Sequence, residues 1–315
     1  IIHKDLRESL LTTGNSLVIA GSKKKAKVHI HVNEPKEVFK ICSDFGVISG
    51  EKADDMWQQQ KTAQGHKTKG VAIVTDSGAD IPDDIDLNIH VVPVRYNFGN
   101  VGYIDKVSQT SEEFFNELAT NPNHPQTSQP TPGDFRRQYQ YLKSHYDSIL
   151  SIHIPHELSG TYQSALNAAK RVDNENIKVI DGYSASVGLG LIVIKAATLA
   201  KEGKSFDEIN ALLPKIISSS KVYLAIKDLK FVVRGGRLPT WVKSVADILH
   251  IRPILSTKEN GTLGAAGVLL GTDNLPKKLC KFVLAKMDKN TFYTVIVGHS
   301  NTLEDGKILM ELIKK

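Results

Sequence analysis

Val71-Ala72-Ile73-Val74, followed at once by Thr75-Asp76-Ser77-Gly78, is the stretch that decides the fold. Four apolar residues without alternation read as a strand buried on both faces, as in a parallel sheet. The stop rich in hydroxyls and glycine reads as the loop beyond the strand's carboxyl end. Comparable runs recur at Ile89 to Val94, Ile149 to Ile154, Ile177 to Ile180, Val222 to Ile226 and Tyr293 to Val297. Between them lie helical patterns at Ser111 to Leu118, Pro132 to His145, Gly160 to Val172, Ser184 to Lys201 and Phe206 to Ser218. Strands alternating with helices imply an α/β architecture with a mainly parallel sheet. In such sheets ligands sit beyond the carboxyl ends of strands, so the loops after these runs are where chemistry is to be sought.

Toward the amino end the pattern stops in a polar, aperiodic stretch, Gln58 to Gly70. It divides the chain into residues 1–60, a small α+β piece, a linker at 61–70, and the α/β domain at 71–315. In the first piece Ser16 to Ala20 and Lys27 to Val32 read as short strands, and Pro35 to Phe45 as a helix with proline at its start. That is little chain for an independent core, and Ile1 in place of Met reads as a fragment of a longer protein.

The 315 residues carry 40 Lys/Arg against 34 Asp/Glu, a net charge of +6, and residues 1–70 account for +4 of it. The rest is close to neutral, which argues against a dedicated nucleic-acid surface. Two cysteines, Cys42 and Cys280, far apart in sequence, exclude a disulfide scaffold and a cysteine-rich zinc module. The most apolar stretch, Val187 to Ala200, contains Lys195 and falls short of the ~20 residues of a membrane span. A soluble, cytoplasmic protein with no membrane span is the expectation.

Four loops offer chemistry. Thr75-Asp76-Ser77-Gly78-Ala79-Asp80 follows a strand, and Thr127-Ser128-Gln129-Pro130-Thr131-Pro132 precedes a helix. In Leu158-Ser159-Gly160-Thr161-Tyr162-Gln163-Ser164, Ser159 can cap a helix beginning near Gly160. Such a helix start presents unpaired N–H groups and suits a carboxylate or phosphate, although a plain N-cap reads equally from the residues. Hydroxyls and amides bind an anion without neutralising it, which leaves its oxygen able to react. In Arg234-Gly235-Gly236-Arg237 the arginines can fork onto anionic oxygens, or flank a solvated turn.

Other patterns carry less. Gly188-Leu189-Gly190 lacks the third glycine and the preceding strand of a dinucleotide fingerprint and reads as helix packing. Ser159 with His153 or His156 lacks the GxSxG elbow of a hydrolase. Lys23-Lys24-Lys25 reads as a solvated hairpin turn. His29 and His31 share one face of an alternating strand; they form a polar face or, with Cys42 as a third ligand, a zinc site. No Walker-type loop occurs, so ATP binding has no support here.

In order and spacing, Thr75-Asp76-Ser77 with Asp80, Thr127-Ser128-Gln129-Pro130, Leu158 to Ala165, Arg234 to Leu238 and Ile251-Arg252-Pro253-Ile254-Leu255 resemble the DegV family of bacterial fatty-acid-binding proteins. The resemblance covers roughly residues 70–315 and implies the DegV-like two-subdomain fold. Gly14 to Val18, Lys27 to Asn33, Pro35 and Asp55-Met56 resemble the region after the kinase domain of DhaL-type (dihydroxyacetone-kinase-like) fatty acid kinases. DegV-type chains usually finish with a strand and a His-Thr-Gly-Pro-Gly-like loop; this sequence stops at Lys315 without it, so either the chain is truncated or its tunnel closes differently.

The resemblance implies a long-chain fatty acid in an apolar tunnel. Its carboxylate would be held by Thr127, Ser128, Ser159, Gly160 and Thr161, with Thr75, Asp76 and Ser77 in an adjoining loop. Arg237 and Arg234 would meet the phosphate or the kinase. The kinase domain, in cis or in trans, would convert the presented acid to an acyl phosphate for phospholipid synthesis. This chain would itself be no enzyme and need no cofactor beyond the bound acid, while the full-length protein could be a kinase. Two alternatives stay open: the acceptor half of a fused fatty acid kinase, or a scaffold that no longer binds lipid. In the kinase family the histidine pair, His29 and His31, is associated with a metal site, so zinc is a further implied ligand.

Overall fold

The computed structural model describes residues 2–22, 25–48, 68–226, 229–236, 251–271 and 273–314. They fall into two compact units. The first joins Ile1–Trp57 with Pro93–Ser128, and the second joins Gln58–Val92 with Gln129–Lys315.

In the first unit, helix α1 (Ile2–Leu10) is followed by the antiparallel strands β1 (Asn15–Ser22) and β2 (Lys25–His31) and helix α2 (Pro35–Ser43). Leu6, Leu10 and Val38 are buried, and Val28, Ile30 and Val32 pack against them. The strand alternation therefore turns His29 and His31 outward, as their spacing implies. The same unit holds β5 (Arg95–Phe98), β6 (Val101–Ile104), α3 (Ser111–Thr120) and β7 (Gln126–Ser128). Its sheet order is β6-β5-β7, all antiparallel.

The second unit is built on a parallel sheet of β3 (Thr68–Asp76), β4 (Ile89–Val92), β8 (Tyr146–His153) and β9 (Ile177–Asp181) in the order β4-β3-β8-β9. Its helices are α4 (Pro132–Lys143), α5 (Thr161–Val172), α6 (Val187–Lys201) and α7 (Phe206–Ser219). Ala72 and Val74 of β3, with Ile149 of β8, face Phe135, Tyr139 and Leu142 of α4 and Ala165, Ala168 and Ala169 of α5. Val71, Ile73, Leu150 and Ile152 face Leu189, Ile192, Val193 and Ala196 of α6 and Ile209 and Leu213 of α7. Helices cover both faces, which is why these strands read as unbroken apolar runs. From β3 the order runs outward to β4 on one side and to β8 on the other. The topological switch point therefore lies between the carboxyl ends of β3 and β8.

The rest of the unit comprises β10 (Leu224–Ala225), α8 (Lys230–Arg234), the antiparallel strands β11 (Ile251–Thr257) and β12 (Leu263–Leu270), α9 (Leu275–Leu284) and α10 (Leu303–Ile313). Two expectations need correction. The strand expected at Val222 to Ile226 shrinks to two residues. That expected over Tyr293 to Val297 is not formed, and Phe292, Tyr293 and Val295 are exposed. The run has strand-forming residues, but strand propensity yields a strand only where a ladder partner and a packed face exist. The expected linker at 61–70 lies for the most part outside the described residues, as do Asp54, Asp55 and Met56. Among the described residues no helix is long and apolar enough to cross a membrane.

Candidate functional site

The loop leaving β8 is the best-defined part of the candidate site. Helix α5 starts at Thr161 with Gly160 in the cap position, where no side chain accepts a bond. Ser159, expected to be the cap, stands one residue earlier. Its Oγ lies 2.8 Å from the Thr161 hydroxyl and accepts the Thr161 N–H at 3.3 Å. Two hydroxyls thus meet at a helix start whose partial positive charge favours an anion. A Cβ added at Gly160 would sit 2.1 Å from Oε1 of Gln129, whose amide Nε2 donates to Ser164 Oγ at 3.3 Å. The glycine therefore makes room for Gln129 across the first turn.

Two carboxylates hold this loop at its base, and each is the last residue of a strand flanking β8. Asp76, at the end of β3, is fully buried; its Oδ1 accepts the Gly78 N–H at 2.9 Å and its Oδ2 accepts the Ile154 N–H at 3.1 Å. Asp181, at the end of β9, repeats the pattern. Its Oδ1 accepts the Tyr183 N–H at 2.8 Å and its Oδ2 the His156 N–H at 2.9 Å.

Each aspartate also faces a histidine. His153 Nδ1 lies 2.9 Å from Asp76 Oδ2, and both side chains are sealed from solvent. On the far side Tyr139 donates to Ser151 Oγ at 2.7 Å, and Ser151 Oγ lies 2.7 Å from His153 Nε2. The tyrosine hydroxyl donates, so the serine proton points to Nε2, and the imidazole carries its own proton on Nδ1 toward Asp76. Asp76 is then met by three N–H groups, those of Gly78, Ile154 and the imidazole. Burial pushes the Tyr139 phenol well above its ordinary range, which keeps it a donor.

The outer pair is different. His156 Nδ1 is 2.6 Å from Asp181 Oδ2 and its Nε2 is 3.2 Å from Glu157 Oε1, with the side chain half exposed. Both ring nitrogens face carboxylates, so both donate. The hydrogen bond to Asp181 is the main reason the imidazole pKa rises above its usual value. Neither histidine bonds Ser159, so the hydrolase arrangement finds no base.

Thr75 is buried, and its hydroxyl has no partner among the described residues. Ser77 is buried beside it in sequence. Thr127 and Ser128 belong to the first unit, on exposed strand β7, paired with Tyr96 and Arg95. The Thr131 hydroxyl from the same loop is taken up in a capping box with Asp134 at the start of α4. Arg234 ends the short helix α8 and is exposed; Gly236, with φ of +75°, takes a left-handed turn there. Arg237 lies outside the described residues.

His29 and His31 bring their Nε2 atoms to 3.1 Å. Cys42 packs instead with the apolar face of the strand, and burial raises its thiol pKa. Among the described residues no group of three or more His, Cys, Asp or Glu side chains could hold a metal. Two donors do not close a zinc site, which needs three or four. Gly188 and Gly190 serve helix packing. A Cβ at Gly190 would lie 2.1 Å from the Asp80 carbonyl oxygen, and one at Gly188 2.8 Å from Val222 Cβ. A cavity of about 590 Å³ beside β9 is lined by Tyr162, Asp181, Tyr183, Leu213, Ile217 and Lys258 among others.

Sequence reasoning missed Tyr139, Ser151 and Asp181, and weighed the two histidines only as hydrolase bases. A signal was available. Val74-Thr75-Asp76-Ser77-Gly78 and Val179-Ile180-Asp181-Gly182-Tyr183 both end a strand on aspartate, and Ser151 and His153 share a strand face.

The family model described as "Uncharacterised protein, DegV family" matches residues 70–315. A second model, for the middle domain of proteins like the A component of fatty acid kinase, matches residues 2–63. The chain belongs to the DegV family and carries a fatty-acid-kinase-like middle domain ahead of it. A DegV domain-containing protein of Caldanaerobacter subterraneus subsp. tengcongensis is 35% identical over 223 residues, covering 70% of this chain and 77% of the relative. Among solved structures, a fatty-acid-binding DegV family protein from Thermus thermophilus is 33% identical with a TM-score of 0.61, over 69% of this chain and 76% of that one. DegV of Bacillus subtilis, a fatty acid binding protein, is 28% identical with a TM-score of 0.69, over 77% and 87%.

Proposed function

We propose that this chain binds a long-chain fatty acid in an apolar tunnel and presents its carboxylate to a DhaL-type kinase domain, in cis or in trans, for conversion to an acyl phosphate. The observation that carries this reading is the union, in one chain, of a DegV domain with a middle domain of the fatty acid kinase type. The fatty-acid binding of its structural neighbours supports the ligand class. The hydroxyls of Ser159 and Thr161, at the start of α5, support the head-group assignment. Their pairing leaves one hydroxyl proton to donate to a carboxylate, and among the described residues the bonds made by Ser159 involve no cationic side chain that would quench the acid's nucleophilicity. Thr127 and Ser128 would add further hydroxyls, and Arg237 with Arg234 would meet the phosphate or the kinase. Burial of the tail contributes about 0.8 kcal/mol per methylene, ample to retain a long chain. An enclosed site also keeps water from a labile acyl phosphate.

The test is mass spectrometry of an organic extract of the purified protein, followed by oleate titration of Ser159→Ala and Thr127→Ala. A hydrogen bond to a charged group contributes about 1.5–3 kcal/mol, so each variant loses about tenfold or more in affinity. Unchanged oleate affinity in both variants overturns the carboxylate assignment. Arg237→Ala is expected to impair phosphorylation while keeping lipid; loss of lipid instead would move that arginine into the tunnel.

A further inference from the structure

The loop that carries Ser159 is gripped from both sides by a repeated device. The carboxylates ending the two neighbours of β8 each take two bonds of the same kind. Oδ1 binds the N–H two residues on in its own loop, Gly78 or Tyr183. Oδ2 reaches across to an N–H of the loop leaving β8, Ile154 or His156. Each also takes a histidine, one preceding and one inside that loop. Just past the second grip the loop turns back on itself, with the Leu158 and Ser159 N–H groups donating to the Pro155 carbonyl at 2.9 and 3.1 Å. Only two residues separate His156 from Ser159.

We propose that Asp76 and Asp181 are positioning residues of the head-group site, together fixing where the Ser159 and Thr161 hydroxyls meet a carboxylate. The fold alone does not call for a buried charge at the first of these points. Asp76 lies at the switch point between β3 and β8, the place where the connections diverge and where sheets of this kind bind their ligands. An apolar residue there would avoid the desolvation of a fully buried carboxylate with its histidine, serine and tyrosine. What the chain of four polar side chains adds is a single geometry, because every member is satisfied in only one arrangement of donors. Asparagine at either position keeps one acceptor and puts an NH2 group where the other oxygen faced an N–H. It must therefore release one of the two loops.

This inference rests on the head-group reading of Ser159, and its test separates the two. Oleate and oleyl alcohol are titrated against the full chain and its Asp76→Asn and Asp181→Asn variants, and backbone amide exchange is followed over residues 154–161. Loss of one charge-assisted bond is expected to lower oleate affinity about tenfold, with oleyl alcohol held within about twofold. Exchange is expected to quicken in that loop while the interior of α5 stays protected. Asp181→Asn, at the more accessible grip, decides the matter if Asp76→Asn does not fold. Equal weakening of acid and alcohol would mean that the aspartates only stabilise the fold and would overturn the proposal. So would unchanged exchange in the loop. Failure of the unaltered chain to bind oleate would defeat the functional reading, and the exchange measurement would then decide the two grips by itself.

Discussion

Replacing Gly190 by alanine sets two physical effects against each other, and their balance has a definite sign. Inside a helix the change gains about 1 kcal/mol from propensity. Here the new Cβ would stand 2.1 Å from the carbonyl oxygen of Asp80 and 2.9 Å from its carbonyl carbon. Both are backbone atoms and cannot rotate aside. The loop they belong to is fastened to the start of α6. The Asp80 N–H donates to the Ser186 carbonyl at 3.1 Å, and the Ser186 N–H to the Gly78 carbonyl at 2.8 Å. The Ser186 hydroxyl donates to Asp80 Oδ2 at 2.7 Å. Overpacking costs about 1–3 kcal/mol, and a backbone bond broken to relieve it about 1 more. After the propensity gain, Gly190→Ala comes out about 1–3 kcal/mol less stable, a fall of about 2–12 °C in the melting temperature for a unit of this size. Gly306→Ala in α10 is the control, since its Cβ would meet only the His299 side chain at 3.5 Å. That variant is expected to hold or raise stability by up to about 1 kcal/mol. Calorimetry on both variants provides the measurement. A Gly190→Ala protein as stable as the parent would refute the close approach of α6 to the Asp80 loop.

Two further predictions concern charge and metal. The folded-state pKa of His156 is raised, so its charge-assisted bond to Asp181 is fully present below the ordinary histidine pKa and is lost as pH rises through the folded value. The stability difference between the parent and His156→Gln should therefore shrink as pH rises above the ordinary histidine value of about 6.5 and through the raised folded value; a constant difference would exclude a titrating imidazole. His29 and His31 alone should release zinc on dialysis, as followed by elemental analysis. Retention at one zinc per chain would show that donors beyond the described residues complete a site.

Much of the fold was legible because the apolar runs of β3, β8 and β9 leave little choice but burial on both faces. The loops after them were legible as sites for the same reason. The β5–β6 hairpin was missed although Gly99-Asn100 is a turn signal, because its strands are four residues long and carry no clear period. Thr127 and Ser128 read as loop residues, whereas they form a three-residue strand against β5, a pairing with distant chain that local sequence does not encode. Tyr293 to Val297 went wrong in the opposite direction, with strong local propensity but no strand formed. At the candidate site, the hydroxyls of Ser159 and Thr161 were visible in sequence. Their support was not, since Asp76 and Asp181 act through hydrogen bonds to backbone atoms about 78 and 25 residues away.

The two grips differ in one respect with an evolutionary consequence. Around Asp76 four side chains share a closed set of donors and acceptors, so a change in any one leaves another buried and unsatisfied. Around Asp181 the histidine is half in water, which can replace what a substitution removes. A library of variants selected for a new head group should therefore return viable changes at His156 and Glu157 but almost none at Tyr139, Ser151, His153 and Asp76. On this reasoning the inner grip should resist change in such a selection, and the outer histidine is where specificity is free to drift.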